Sequence, residues 1–290
     1  ATLFGWAALF PLLYVLYRAV YERCPAYFVP AGIFAGAMVM IHTHSFLALG
    51  LICGVWLCFA LCRAVFRDSS HKALRAAKYA AAVLLALPVL VQFLVPAVLP
   101  RDSAVFLALV CAAAALFVLV LAALAFRRGF GGALLRTWGV FLLLVLLLAV
   151  PQLLTWTFTQ ASAESFVRGW FNWGNQTDGY LWFYLVNLGA AALFILPALF
   201  SARRHSFSVA APAVVIWFIC EFVVFQPNTY DNNKLLYAAY FLLCAVTASY
   251  LVELYRRLRG LLAHGGRQMG LLYIDLDNFK NCNDRFGHQV

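Results

Sequence analysis

Residues 104–126 read AVFLALVCAAAALFVLVLAALAF, a run without a charge, amide or hydroxyl, closed by Arg127-Arg128. As a helix rising about 1.5 Å per residue it would be about 35 Å long. That exceeds the roughly 30 Å of a bilayer's hydrocarbon core. Similar stretches recur on both sides, and the expected spans are 2–20, 27–42, 46–66, 79–98, 104–126, 138–157, 180–200, 209–226 and 234–254. Helices are expected throughout, because the runs lack the alternation of a membrane β-barrel. Kinks rather than breaks are expected at Pro30, Pro88, Pro96, Pro151, Pro197 and Pro212, since neighbouring helices can satisfy the freed carbonyls.

Composition agrees. The chain is 65% hydrophobic and 11% charged, with a mean hydropathy of +0.88, whereas soluble domains carry about a quarter charged residues. Disorder, a disulfide scaffold and a lone cytosolic domain are excluded. The eight cysteines are scattered without metal or disulfide spacing, as buried thiols are.

Placing the loop after the first span in the cytoplasm and alternating sorts the 21 Lys and Arg sharply. Only Arg101, Arg168 and Lys234 fall outside, Arg267, Lys280 and Arg285 belong to the tail, and the other fifteen lie inside. This obeys the positive-inside rule. It also accounts for the net charge of +10 through basic loops beside anionic lipid, so no nucleic-acid partner is required. The reading is a multi-pass protein with a cytoplasmic C-terminal tail.

The external edges gather the polar clusters: His42-Thr43-His44-Ser45, the loop 158–179 with Asp178, and Gln226 to Lys234 with Asp231. Interleaved Trp, Asn and Asp suit a sugar, whose C–H faces stack on rings while amides and carboxylates take its hydroxyls. His42, His44, Asp178, Asp231 and Lys234 are therefore the candidates for an external sugar or phosphate site. Two histidines spaced by two would point to different helix faces, so a shared metal there needs a third ligand. Glu221 sits inside a span, where a carboxylate should face the bundle interior with a partner or stay protonated. Both a functional role and a structural hydrogen bond remain open for it, and with the span count it also allows a transporter.

Beyond Tyr255 the character changes. A short basic helix, Arg256 to Gln268, ends at Gly265-Gly266, and an apolar run of strand length, Met269 to Ile274, leads into Asp275-Leu276-Asp277-Asn278-Phe279-Lys280. Carboxylates followed by an ammonium suit a divalent cation beside phosphate.

Two resemblances follow from these motifs. Ile274-Asp275-Leu276-Asp277, Phe279-Lys280, Asn283-Asp284 and Gly287-His288 resemble the opening of the GGDEF domain of diguanylate cyclases. That resemblance implies Mg²⁺ held by the Asp275 carboxylate and the Leu276 carbonyl. It also implies GTP phosphates on Asn278, Phe279 and Lys280, guanine on Asn283, and a homodimer that makes cyclic di-GMP. The Asp-x-Leu-Thr-Gly-Leu-x-Asn-Arg motif usual upstream is missing, since Cys244–Tyr250 occupies that window. The Gly-Gly-Asp/Glu-Glu-Phe signature would lie past Val290. The chain is therefore expected to be an N-terminal fragment, inactive as truncated, with either a true fusion or a joined reading frame near 251–258.

The second resemblance rests on His42 to Phe46, Pro151-Gln152, the Asn/Trp-rich loop, Tyr180 to Gly189 and Gln226 to Lys234. These are similar to bacterial polytopic proteins of the GT-C glycosyltransferase type, which use lipid-linked sugars on the external face. The acidic base of that superfamily lies in an earlier external loop, so no catalytic residue is assigned.

The expected fold is an all-α polytopic membrane domain of about nine spans over 1–254, then the start of an α/β GGDEF-like domain over 255–290. The resemblance places it in a bacterial inner membrane. The leading functional reading is a membrane-anchored diguanylate cyclase-type protein, and the alternative is a lipid-linked glycosyltransferase.

Overall fold

The computed structural model describes residues 2–66, 74–83, 86, 104–157, 168–169, 180–224 and 232–265. By contacts the chain divides into two units, Ala1–Tyr250 and Leu251–Val290.

The described residues of the first unit are almost wholly helical. Its elements are α1 (Thr2–Tyr21), a 3₁₀ turn (Pro25–Tyr27), α2 (Phe28–Ile41), α3 (Thr43–Val65), α4 (74–83) and α5 (Ala104–Arg127). Next comes α6 (Gly131–Trp156), interrupted by π turns at Leu135–Gly139 and Leu153–Thr157. Then follow α7 (Tyr180–Leu188), α8 (Ala191–Ser201), α9 (Arg204–Phe222) and α10 (Asn233–Gly265). Two short strands, β1 (Arg168–Gly169) and β2 (Val223–Val224), pair antiparallel.

Packing follows from where large and small side chains fall. Leu9 and Leu16 of α1, Ile52 and Trp56 of α3, Ile216 of α9 and Leu243 of α10 are fully buried in one core. The Trp56 indole donates to Val209 O at 3.3 Å, tying α3 to α9. Phe10 of α1 stacks on Phe241 of α10 with centroids 4.4 Å apart. Helix α2 approaches α6 through Gly32 and Gly36, where an added Cβ would lie 3.0 Å from Leu144 Cβ and 2.7 Å from Leu148 Cβ. This small-xxx-small spacing is how membrane helices bring backbones together without a hydrophobic driving force. The Gln152 amide then donates to Leu148 O at 2.6 Å. It also donates to Gly36 O at 3.4 Å.

Leu116, Phe117 and Leu119 of α5, and Leu143, Leu146 and Leu147 of α6, are exposed. A contiguous apolar exterior is rare in water, and it is compatible with a hydrocarbon solvent.

Among the described residues, four helices are long and apolar enough to cross a bilayer: Thr2–Tyr21, Thr43–Val65, Gly131–Trp156 and Asn233–Gly260. A fifth arises if Leu181–Leu188 and Ala191–Ser201, bent by 98°, are one span. Residues 209–222 of the 209–226 stretch lie on α9, whose Arg204, His205 and Glu221 dilute its apolar character, 223–224 form β2, and 225–226 lie outside the described residues. The 27–42 stretch forms a shorter apolar helix, Pro25–Ile41. Most of 79–98 lies outside the described residues. The expected prolines are carried within helices at Pro151, Pro197 and Pro212. The 98° bend falls instead at Gly189, in left-handed conformation at φ +61°, which a residue without a Cβ adopts at little cost.

In the second unit the described residues continue α10 to Gly265. Arg257 Nε meets Glu253 Oε1 at 3.0 Å, one turn apart. The strand expected over 269–274, and all of Asp275, Leu276, Asn278, Phe279, Lys280 and Asn283, lie outside the described residues.

Candidate functional site

The most unusual polar group of the first unit is built at the end of α9. Trp217 and Glu221 are four residues apart and so share a helix face. Tyr184 of α7 packs its ring on Trp217, centroids 4.4 Å apart. Its hydroxyl reaches one turn further and donates to Glu221 Oε1. Glu221 has no solvent exposure. A buried phenol–carboxylate pair can hold a proton or pass one, and it fastens α7 to α9 in either case.

One step on, the chain leaves the helix through β2. Asn232, fully buried, donates to Cys220 O at 3.1 Å and Val223 O at 2.7 Å. It thereby satisfies carbonyls that a helix end leaves open. The β1–β2 pairing aligns Arg168 with Val224 and Gly169 with Val223. Arg168–Gly169 is thus held at the end of α9, opposite Val224, three residues from Glu221. Asp178 and Asp231 lie outside the described residues. Lys234 is half-buried in the first turn of α10.

The histidine pair differs from the expectation. His42 is not helical: at φ −164° and ψ 106° it is extended, ending α2 and capping α3. Its Nδ1 accepts from Ser45 N at 3.3 Å and lies 2.8 Å from Ser45 Oγ. The helical spacing that would have separated the rings does not apply, and their centroids are 5.2 Å apart. Both rings are buried. Among the described residues no group of three or more His, Cys, Asp or Glu could hold a metal. His42 thus acts as a helix cap.

Sequence reasoning did not single out Tyr184 or Asn232. An aromatic hydroxyl in an apolar stretch, Tyr180-Leu181-Trp182-Phe183-Tyr184, and an intramembrane Glu each imply a partner elsewhere. That shared need was the available signal. They stand 37 positions apart in the sequence, and no local pattern pairs the two.

Compared with known families, residues 251–290 match the model described as diguanylate cyclase, GGDEF domain. No curated protein matches the chain, and no solved structure does. The GT-C resemblance of the membrane region finds no support in these comparisons.

Proposed function

We propose that the chain is the membrane region and opening catalytic-domain segment of a membrane-anchored diguanylate cyclase-type protein. The observation that carries this reading is the GGDEF family match over 251–290, on a stretch that retains the metal and phosphate residues of the pattern. The apolar helices of the first unit are compatible with the anchor.

The residues suit the chemistry. The Asp275 carboxylate and Leu276 carbonyl offer hard oxygens of the kind Mg²⁺ prefers. Magnesium bound there supplies polarisation of the triphosphate. Lys280 adds a compact positive charge beside the phosphate oxygens, with the main chain at Asn278 and Phe279 completing the cradle. The Asn283 amide, both donor and acceptor, orients the guanine. Two such domains, each loaded with GTP, meet as a homodimer, where each 3′-hydroxyl attacks the other nucleotide's α-phosphorus and breaks its α–β phosphoanhydride bond, giving cyclic di-GMP and two pyrophosphates. In this reading the tail faces the cytoplasm, where GTP is found, from a bacterial inner membrane. The polytopic region responds to a ligand outside or within the bilayer.

The test is cyclic di-GMP in a bacterial reporter strain expressing the protein that carries this chain. Production should rise above background and disappear with Asp275→Ala at an equal membrane level of protein. Unchanged cyclic di-GMP with Asp275→Ala overturns the reading.

A further inference from the structure

A second polar feature of the first unit lies apart from Glu221 and independent of the nucleotide reading. A cavity of about 680 Å³ opens between the end of α1, α3, the start of α6 and the start of α9. Arg23, Arg63 and Arg204 line it, with Phe28, Thr137 and Trp138 among its walls, and no acidic residue is among the described lining. The described ion pairs, Arg18–Glu22 and Arg257–Glu253, use none of these three arginines. Arg63 is within electrostatic reach of both Arg204 and Arg23, and its guanidinium lies 5.5 Å from the Tyr21 ring centroid.

Local structure sharpens this concentration of charge. Arg204 is the first residue of α9 and follows Arg203 at its cap, with no acidic residue in the first turn. Cations at a helix N-terminus oppose its dipole, whereas an anion there is favoured by dipole and arginines together. Arg23 holds a left-handed backbone, φ 59°, the only positive φ at a non-glycine among the described residues. Glycine ends helices in that conformation with less strain. The π turn Leu135–Gly139 supplies Thr137 and Trp138 to the wall, and such turns recur at functional sites. Positive-inside bias explains why arginines are numerous on this side. It does not explain three of them converging on one hollow with an aromatic wall.

We propose that this cavity is an anion site that binds a phosphate-bearing ligand, with Arg23, Arg63 and Arg204 gripping the phosphate oxygens. Guanidinium forks match phosphate geometry bidentately, and a cavity of this volume falls in the range of ligand pockets. The phosphate could belong to a lipid headgroup or to a soluble molecule, and the experiment separates the two.

The purified full chain is reconstituted in nanodiscs of neutral phosphatidylcholine. One arm adds phosphatidylglycerol and reads its retention by native mass spectrometry. The other adds pyrophosphate to neutral nanodiscs and reads the unfolding temperature against concentration. Binding in the first arm assigns a headgroup, and binding in the second assigns a soluble phosphate. The triple variant R23Q/R63Q/R204Q should weaken whichever binding is seen by at least about tenfold, while Arg18→Gln, outside the cavity, should leave it intact. Ala133→Phe, which fills the cavity and keeps all three charges, should also block binding and serves if the triple variant does not fold. Arg23→Gly should weaken binding while the unliganded protein unfolds at an equal or higher temperature, a combination that a structural role for Arg23 would not produce. No binding in either arm, or equal binding by wild type, the triple variant and Ala133→Phe, overturns the proposal.

Discussion

The tail and the helical first unit carry their polar residues in opposite ways. Asp275, Asp277, Lys280, Asn283 and Asp284 crowd into ten consecutive positions. Tyr184, Glu221, Asn232 and His42 come from four separate stretches and are meaningful only through spatial partners. A short motif in the tail can match a family model, because neighbours in sequence are its unit of chemistry. In the helical first unit the same residue letter should have very unequal weight at different places, since its partner across a helix interface decides its effect.

The largest inequality is expected between two glutamates. Glu221→Ala removes a buried side chain and strands the Tyr184 hydroxyl, and should lower unfolding free energy by about 3 kcal/mol. Glu221→Gln keeps an acceptor and should lose about 1 kcal/mol. Glu22 pairs with Arg18 at 2.8 Å on the solvent side, where exposed pairs contribute little, so Glu22→Ala should leave thermal unfolding in detergent unmoved. Equal shifts from Glu221→Ala and Glu22→Ala would break the comparison.

Glycines give the next contrast. A Cβ at Gly36 would sit 2.7 Å from Leu148 Cβ, whereas at Gly50 nothing lies within 4 Å. Gly36→Ala must push α2 away from α6 and should destabilise by about 2 kcal/mol. Gly50→Ala, inside α3 with open space around it, should stabilise by up to about 1 kcal/mol through backbone entropy. Measuring both by chemical unfolding in the same detergent sharpens the point, since a matching sign would mean that α2 does not lean on α6 through its glycines.

How far the residues announce this architecture depends on what each signal measures. Long apolar runs mark Thr2–Tyr21, Thr43–Val65 and Asn233–Gly260 directly, because length and transfer free energy are properties of the run alone. The prolines drew attention as kink sites, yet the sharp bend falls at Gly189. A proline can be absorbed in a helix by neighbours, whereas a left-handed residue reverses the chain outright. Gly32 and Gly36 went unread in the sequence, and their four-residue spacing carries no sign of which helix they meet. Glu221 was legible as a polar group in need of a partner, whereas Tyr184 was not singled out. Their pairing depends on how α7 meets α9, which no local pattern encodes. Asp275 to Asp284 were legible together, because a motif of this kind keeps its residues in fixed order within ten consecutive positions.

The smallest effect belongs to the joint between α2 and α3, and it tests what a histidine does there. His42 could hold the joint by its hydrogen bonds to Ser45 or by its bulk against Gly5, where a Cβ would come within 2.6 Å of the His42 side chain. His42→Ala loses both and should lower unfolding free energy by about 1 kcal/mol. His42→Ser loses the ring but keeps a side-chain oxygen able to cap the first turn of α3, and should recover most of that loss. If thermal unfolding shows serine no better than alanine, the ring's packing holds the joint. Bulk against α1, rather than capping, would then be what keeps α2 and α3 as two helices.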